Sequence, residues 1–169
     1  MKNIIAIRHG DYNEDEEGDY NLTPDGRKQI ITLAEFMKDN FGGTFYFASS
    51  PVTRVMQSAE ILRDYLDTDR NIQTLYELNC EYDNLFHEQA EAIHQATLNL
   101  NGNNYAVGNF KLKGKEDNLI LIGHYATAID YSKYFMQHEW RQSANIDNIG
   151  KGRAIHLDLE NRTQRIIPE

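Results

Sequence analysis

The stretch IIAIRHG at residues 4–10 places an arginine, a histidine and a glycine directly after a short apolar run. A run of this kind that ends at a glycine is typical of a buried strand, whose end carries polar side chains to the edge of a sheet. His9 would then be a reactive side chain on a rigid element. In the alternative, the strand stops at a turn and both Arg8 and His9 are solvated, and these residues alone do not decide between the two.

The strongest buried-strand pattern in the sequence is LILI at residues 119–122, and Gly123 and His124 follow it directly. Polar residues therefore end this strand as they end the first. A helix from about residue 126 to residue 137 is expected next.

A further strand pattern, FYFA at residues 45–48, is followed by Ser49-Ser50-Pro51. This tripeptide predicts a helix N-cap with proline at the first helical position. Arg54 falls in the first turn of that helix, where a cation opposes the helix dipole. An unfavourable charge at the end of a strand suggests that an anion binds there.

The remaining elements continue the alternation of strands and helices. Thr23 and Pro24 predict the N-cap and first position of a helix whose apolar face runs from Ile30 to Phe41. Beyond these, short strands are expected at 71–75, 153–159 and 164–167, a helix at 85–100, and loops at 11–21 and 101–118.

This order of elements predicts an α/β fold: a three-layer α/β/α sandwich with a mostly parallel central sheet. The 169 residues fit one domain over residues 1–169. In open α/β sheets, ligand sites lie outside the carboxyl ends of the strands. A site is therefore expected where Arg8, His9, Arg54 and His124 follow their strands.

The composition argues against several classes of partner. With a net charge of −9 and a pI near 5.1, the chain lacks the basic surface that nucleic acid or an anionic membrane requires, so neither partner is expected. No apolar stretch approaches the roughly 18 residues of a membrane span, and the N-terminal run is too short for a signal peptide, which predicts a cytoplasmic protein. The single cysteine, Cys80, allows no intrachain disulfide and has no flanking histidine or basic residue to activate it.

Two patterns could bind a metal ion, and both are weak. A calcium loop counted from Asp11 would need glycine at its sixth position, where Glu16 stands. On the predicted third helix, His87, Glu91 and His94 share one flank at i, i+4 and i+7. A site in a helix bundle needs a second set of ligands from a partner helix, and the sequence shows none. No metal site is therefore expected.

Glu77 adds a carboxylate to the groups that follow strand ends. If these groups meet at the carboxyl ends of the strands, where ligand sites of open α/β sheets lie, two arginines and two histidines lie beside one carboxylate. Such a pocket would bind an anion and would also contain a carboxyl group that could act as an acid.

These motifs together resemble the histidine phosphatase superfamily, the phosphoglycerate mutase-like family. The resemblance covers residues 1 to about 135 and rests on motifs that occur in the family's order: Arg8-His9-Gly10, Leu22-Thr23-Pro24-Asp25-Gly26, Ser49-Ser50-Pro51-Val52-Thr53-Arg54 with Gln57-Ser58-Ala59, Glu77-Leu78 and Gly123-His124. It implies phosphoryl transfer through a covalent phosphohistidine, without a metal ion or a cofactor.

The resemblance also implies a role for each residue of the pocket. His9, a neutral imidazole whose tautomer is fixed by a partner on its other nitrogen, would attack phosphorus. Arg8, Arg54 and a protonated His124 would bind the phosphoryl oxygens. Glu77 resembles the general acid that protonates the leaving oxygen and then takes a proton from water. Because nearby cations favour the ionised carboxylate, Glu77 is expected to be partly desolvated by burial.

Some features depart from the family pattern. Many members have an asparagine at a fixed distance beyond the first glycine, and here Asp15 stands at that place, which leaves Asn13 as a candidate phosphate contact. Asp11, directly after Gly10, resembles the protein phosphohistidine phosphatases, which are similarly short. Those proteins generally lack an acid equivalent to Glu77, so this residue favours small-molecule phosphatases.

The favoured interpretation is a small phosphatase that hydrolyses a phosphomonoester, since the related mutases are longer and close over their substrates to exclude water. The alternatives are a phosphohistidine-protein phosphatase, a phosphoglycerate mutase-type phosphotransferase, and a non-catalytic phosphate-binding regulatory module. The expected partner is a small phosphorylated substrate or a phosphoprotein. The acidic loop after Gly10 should favour singly phosphorylated substrates, because it repels polyanions.

Overall fold

The structure is a computed structural model that describes residues 2–14, 20–79, 87–99 and 118–168. The acidic segment 15–19, Cys80 and most of the predicted loop at 101–118 lie outside the described residues, as do the side chains of Glu14 and His87. Expectations about those residues stay predictions.

The described residues form eight strands and four α-helices. The strands are β1 (Asn3–Arg8), β2 (Tyr12–Glu14), β3 (Tyr20–Leu22), β4 (Phe45–Ser49), β5 (Ile72–Thr74), β6 (Asn118–Gly123), β7 (Ala154–Asp158) and β8 (Thr163–Ile167). The helices are α1 (Pro24–Asn40), α2 (Thr53–Tyr65), α3 (His87–Leu98) and α4 (Tyr125–Phe135), with a 3-10 turn at Tyr76–Leu78 and a π-helical turn at Met136–Trp140.

Six strands form the central sheet in the order β5-β4-β6-β1-β7-β8. The pairs β5–β4, β4–β6 and β6–β1 are parallel, whereas β7 and β8 extend the sheet by antiparallel pairs. The predicted mostly parallel sheet is therefore confirmed.

Helices cover both faces of this sheet. Ile5 and Ile7 of β1 pack with α1 and α2, whereas Ile4 packs in a second apolar cluster with α3 and α4. In β6, Leu119 and Leu121 likewise pack in one cluster, while Ile120 and Ile122 pack in the other. Successive strand side chains point to opposite faces, so burial of both sets gives the predicted three-layer α/β/α sandwich.

The predicted start of α1 is confirmed, and that of α2 is wrong. Thr23 caps α1, since its Oγ1 accepts a hydrogen bond from the Gly26 N–H at 2.9 Å. α2 begins at Thr53 without a side-chain cap, two residues later than expected. The reason is that the Ser50 N–H donates to the Ile122 carbonyl at 3.0 Å, which keeps the chain paired with β6 beyond the end of β4.

The segment predicted as a solvated loop at 11–21 contains a hairpin, so that prediction is wrong for its described part. β2 pairs with β3 in antiparallel register, with Tyr12 opposite Leu22. Gln57 of α2 binds this hairpin twice: its Oε1 accepts from the Leu22 N–H at 2.9 Å and its Nε2 donates to Asn21 Oδ1 at 2.6 Å. Strands of three residues give no readable alternation, and contacts with α2 stabilise them instead.

The loop after β1 packs directly on the first turn of α1 through two glycines. A Cβ atom on Gly10 would lie 2.4 Å from the Gly26 carbonyl oxygen, and one on Gly26 would lie 2.0 Å from the Asp11 carbonyl oxygen. Both contacts involve backbone, which cannot rotate away. The two glycines therefore set the position of His9 relative to α1.

Gly26→Ala should lower the free energy of unfolding by about 1–3 kcal/mol, the usual range for overpacking. Helix propensity alone predicts the opposite sign, because alanine is favoured over glycine by about 1 kcal/mol inside a helix. Urea unfolding measures the change. The control is Gly42→Ala, where the new Cβ meets no atom within 4 Å, and we expect a change within about 0.5 kcal/mol. A stabilised Gly26→Ala variant would contradict the predicted clash.

Candidate active site

Three strands deliver polar residues to the same edge of the sheet. β6 lies between β1 and β4, with Gly123 in register with Arg8 and Ile122 in register with Ser49. The His9 N–H donates to the Gly123 carbonyl at 3.1 Å, which keeps the chain segments that follow β1 and β6 side by side. The shared carboxyl edge of β1 and β6 thus brings Arg8, His9 and His124 together, as predicted.

His9 is buried, with 4% of its surface exposed. Its Nδ1 lies 2.7 Å from the carbonyl oxygen of Gly10, which can only accept a hydrogen bond. This contact assigns the proton to Nδ1. The lone pair of Nε2 then accepts from the Nε–H of Arg54 at 3.4 Å.

The pKa of His9 is lowered from 6.5 to about 3. Burial is the main cause, and the positive charges of His124, Arg54 and Arg8 lower the pKa further, while the hydrogen bond to Gly10 opposes them. His9 is therefore a neutral imidazole at pH 7, because burial and the surrounding cations both disfavour its protonated form.

This shift makes the stability of the protein depend on pH. Between pH 6.5 and pH 3 the unfolded chain protonates His9 and the folded chain does not, so stability falls as the pH is lowered through that window. From pH 7 to pH 5 one such group lowers the free energy of unfolding by about 2 kcal/mol.

Urea unfolding of the native protein and of His9→Gln at both pH values measures this contribution. We expect the variant to lose about 2 kcal/mol less than the native protein between pH 7 and pH 5. Equal losses, or an NMR titration of the His9 ring with a midpoint near 6.5, would contradict the lowered pKa.

Two arginines and a second histidine surround His9. Arg54 is buried, and its guanidinium lies over the ring of Tyr12, 4.5 Å from the centroid. Arg8 donates from Nη1 to the Ile149 carbonyl at 2.9 Å. The ring of His124 lies 5.3 Å from that of His9, measured between centroids. In a chain with a net charge of −9, this cluster is a local concentration of positive charge.

Two helix N-termini add to the positive potential of this edge. α2 begins just after β4, and α4 begins just after β6 with His124 as its N-cap. Neither helix has a side-chain cap within the described structure. The first N–H groups of a helix have no partner within it and favour anions. The cluster therefore suits a bound anion.

Ser58 links α2 to the loop that carries His9. Its buried Oγ donates to the Arg54 carbonyl at 2.8 Å and accepts from the Gly10 N–H at 3.3 Å. Gly10 also accepts the His9 hydrogen bond, so one hydroxyl connects the backbones of the two residues beside the His9 ring. This contact orients Arg54 and His9 relative to each other.

Glu77 lies on the 3-10 turn that follows β5. The Leu75 N–H donates to the Ser49 carbonyl at 2.9 Å, and the Leu78 carbonyl accepts from Thr127 Oγ1 of α4 at 3.2 Å. The turn therefore crosses from the edge strand towards α4, whose N-cap is His124.

The predicted burial of Glu77 is wrong, because its side chain is exposed. The turn uses its apolar side chains to pack, with Leu75 and Leu78 buried in the core beside α4, and this leaves Tyr76 and Glu77 facing outward. The turn is hydrogen-bonded to α4 through Leu78. Within the described structure, no hydrogen bond or ion pair joins Glu77 to His9.

Asn13 is not brought to the cluster. It is exposed on β2, next to Tyr12, whose ring contacts His9. Side chains alternate along a strand, so Asn13 points away from the face of the hairpin that covers His9.

Tyr12 and Tyr20 are the site residues that sequence reasoning missed. The Tyr12 ring lies edge-on to His9 at 5.2 Å and offers its face to both Arg54 and the Lys151 ammonium, which is 4.6 Å from the centroid. Tyr20 also lies under Arg54, at 5.2 Å. No local sequence pattern predicts these contacts. The residues come from the hairpin, from α2 and from the loop that contains Lys151, which is 140 residues after Asp11 in the sequence.

Lys151 also forms an ion pair with Asp11, the residue that follows Gly10. This pair lowers the pKa of Asp11, mainly through the hydrogen bond from Lys151. The ionised Asp11 thus offsets one cation at the border of the pocket.

Comparison with solved structures identifies the fold. The protein histidine phosphatase SixA in complex with tungstate superposes with a TM-score of 0.63 at 18% identity, covering 97% of this chain and 93% of that chain. A mycobacterial glucosyl-3-phosphoglycerate phosphatase in complex with VO3 gives a TM-score of 0.61 at 15% identity, covering 98% and 97%. Identities this low show a shared fold alone. No curated protein sequence matches the chain.

Among the described helices, none is long and apolar enough to cross a membrane.

The family model of the histidine phosphatase superfamily (branch 1) matches residues 4–106, more than half of the chain. This range begins at the first residue of IIAIRHG and includes both Arg54 and Glu77. The chain therefore belongs to branch 1 of the histidine phosphatase superfamily.

Proposed function

We propose that the protein is a phosphatase that hydrolyses phosphomonoesters through a covalent phosphohistidine on His9. The observation that carries the proposal is the state of His9. It is a buried, neutral imidazole whose Nδ1 donates to Gly10 and whose Nε2 lies beside Arg54. A neutral imidazole becomes a nucleophile through the Nε2 lone pair once Arg54 turns its N–H groups to the phosphoryl oxygens, and the cations around it favour an anionic substrate.

In the first step, Nε2 of His9 attacks phosphorus and the bond from phosphorus to the ester oxygen breaks. Glu77, protonated before the reaction, gives its proton to the leaving oxygen, so an alcohol departs. As the imidazole gains positive charge, its Nδ1–H bond to the Gly10 carbonyl strengthens. The short 2.7 Å contact between these atoms is therefore already in place for the intermediate.

In the second step, water hydrolyses the phosphohistidine. The Glu77 carboxylate takes a proton from water, the water oxygen attacks phosphorus, and the bond between phosphorus and Nε2 breaks. Inorganic phosphate leaves, His9 returns to its neutral form and Glu77 is protonated again. Since Glu77 is exposed, water reaches it directly.

Arg8, Arg54 and His124 bind the phosphoryl oxygens and offset the charge that develops on them. Positioning and electrostatic stabilisation account for most of the catalysis of phosphoryl transfer. Because side chains and two helix N-termini supply this positive charge, we propose that the transfer itself uses no metal ion. Asn13 has no part in the proposal, since it lies on the far face of the hairpin.

A phosphohistidine-protein phosphatase is the second candidate. Asp11 follows Gly10 as in that group, and a SixA structure superposes on nearly the whole chain. In phosphohistidine the leaving group is an imidazole nitrogen, which departs with less help from an acid than an alkoxide does. That reaction would therefore depend little on Glu77.

A panel of substrates distinguishes these functions. The native protein should release inorganic phosphate from small phosphomonoesters such as sugar phosphates and p-nitrophenyl phosphate. Release from a histidine-phosphorylated protein alone would favour the second candidate, and conversion of one phosphoglycerate isomer to another without phosphate release would favour a mutase. Tight phosphate binding with no turnover of any substrate would contradict an enzymatic function.

A further inference from the structure

Two histidines and a glutamate converge between α3 and the π-helical turn after α4. Nε2 of His94 lies 3.2 Å from Oε1 of Glu139, and Nε2 of His138 lies 3.9 Å from the same oxygen. The three potential ligand atoms all lie within 4.8 Å of one another. Ligand atoms of a tetrahedral zinc ion, with bonds of about 2.0–2.1 Å, are about 3.3 Å apart. Small side-chain rotations would therefore seat an ion between them.

We propose that His94, His138 and Glu139 bind a divalent transition-metal ion, with Zn²⁺ the best fit. Two imidazole nitrogens and one carboxylate oxygen form a donor set that suits zinc. His138 is 36% exposed, whereas His94 is 1% exposed. The fourth position therefore faces solvent on the His138 side and would take a water molecule.

The charges around His94 favour a bound cation. Glu139 and Glu91 both act on its imidazole electrostatically, so two carboxylates lie near the proposed ion. A metal ion binds imidazole through a nitrogen lone pair, which the neutral form supplies.

Aromatic side chains form the wall of the site. The His94 ring packs against those of Tyr131, Tyr134 and Phe135 at centroid distances of 5.7–6.3 Å. The His138 ring stacks on Tyr134 at 5.3 Å with an interplanar angle of 8°. This packing holds both imidazoles close to the proposed ion and places apolar groups beside them, where charge interactions are stronger than in water.

The second set of ligands comes from the π-helical turn. On α3 alone, Glu91 and His94 provide too few ligands for a metal site, and the sequence shows no partner helix with matching residues. Met136–Trp140 adopts the π conformation, which carries His138 and Glu139 to the end of α4 next to His94. π-helical turns occur often at functional sites and have no clear sequence signature.

The proposed ion lies far from the phosphate pocket. His124 begins α4 and His138 lies 14 residues later, which is roughly 20 Å at about 1.5 Å per residue. The ion would therefore stabilise the contact between α3 and α4 rather than take part in catalysis. The proposal does not depend on the proposed phosphatase activity.

Calorimetric titration of the metal-free protein with Zn²⁺ tests the proposal. We expect one zinc ion per chain and a higher Tm when zinc is present, since a ligand that binds the folded state stabilises it. His138→Ala should weaken zinc binding by more than about 100-fold, because losing even an outer-shell partner costs about 10–100-fold. His138 is partly exposed, so this variant should fold, and its circular dichroism without metal checks that it does.

Three further variants make the test specific. Glu139→Gln should lose zinc binding like His138→Ala, whereas Glu91→Gln, which removes a nearby charge but no ligand, should bind within about tenfold of the native protein. His9→Gln should bind zinc normally. No binding, unchanged binding in His138→Ala, or binding lost in His9→Gln would overturn the proposal. Loss in His9→Gln would put the ion in the phosphate pocket, and the other two results would leave only a hydrogen bond between His94 and Glu139.

Discussion

His9→Asn is expected to lower kcat for phosphomonoester hydrolysis by at least about a thousandfold. Asparagine can keep a hydrogen bond to the Gly10 carbonyl and fills part of the same space, but it offers no nucleophilic nitrogen at the position of Nε2. The remaining route is direct attack by water on the phosphomonoester. Arg8 and Arg54 stay in place, so the variant should still bind inorganic phosphate. Initial rates of phosphate release and phosphate inhibition measure the two effects.

A matched control removes a different buried histidine. His156 of β7 is 6% exposed and contacts Asn3 and Arg165 rather than the pocket. His156→Gln should change stability but leave kcat within about threefold of the native value, because it touches none of the reacting groups. If His9→Asn keeps its turnover while His156→Gln reduces it, the nucleophile has been assigned to the wrong histidine.

Glu77→Gln is expected to lower kcat on alkyl phosphates by about 100–10,000-fold, the usual contribution of a general acid–base. The loss should depend on the leaving group. p-Nitrophenolate departs without a proton, so His9 should still be phosphorylated quickly by p-nitrophenyl phosphate. Hydrolysis of the intermediate would stay slow, because no carboxylate takes a proton from water. Stopped-flow absorbance should therefore show a burst of p-nitrophenol followed by a slow steady rate.

Glu60→Gln is the control for this prediction, since Glu60 is an exposed glutamate on α2. We expect native kinetics from it on both substrates. An equal loss on alkyl and p-nitrophenyl phosphates in Glu77→Gln, with no burst, would contradict a role in proton transfer. Native rates on a phosphohistidine protein together with weak activity on phosphomonoesters would favour the second candidate function.

The sequence predicted the sheet and the core of the pocket because both follow from local patterns. Apolar runs such as LILI at 119–122 mark strands that are buried on both faces. Parallel strands share one carboxyl edge, so residues that directly follow them must lie near each other. This rule placed His9, Arg54 and His124 together, although His9 and His124 are more than a hundred residues apart in the sequence.

The rest depends on tertiary contacts that no local pattern reports. Tyr12 reaches Arg54 because Gln57 of α2 binds the hairpin, and neither the hairpin nor that contact has a sequence signature. Glu77 is exposed because Leu75 and Leu78 occupy the buried positions of its turn, where they pack in the core beside α4. His138 meets His94 because α4 ends in a π-helical turn, which the periodicity of an α-helix does not predict.

Chemical quench during turnover tests the central claim most directly. Native protein and Glu77→Gln would be mixed with p-nitrophenyl phosphate for milliseconds, quenched in base and digested, and the phosphorylated peptide identified by mass spectrometry. We predict one phosphoryl group on Nε2 of His9, stable in base and lost in acid, with a larger fraction of chains labelled in Glu77→Gln than in the native protein. Turnover without any phosphoenzyme, or a phosphoryl group on another residue, would contradict the mechanism.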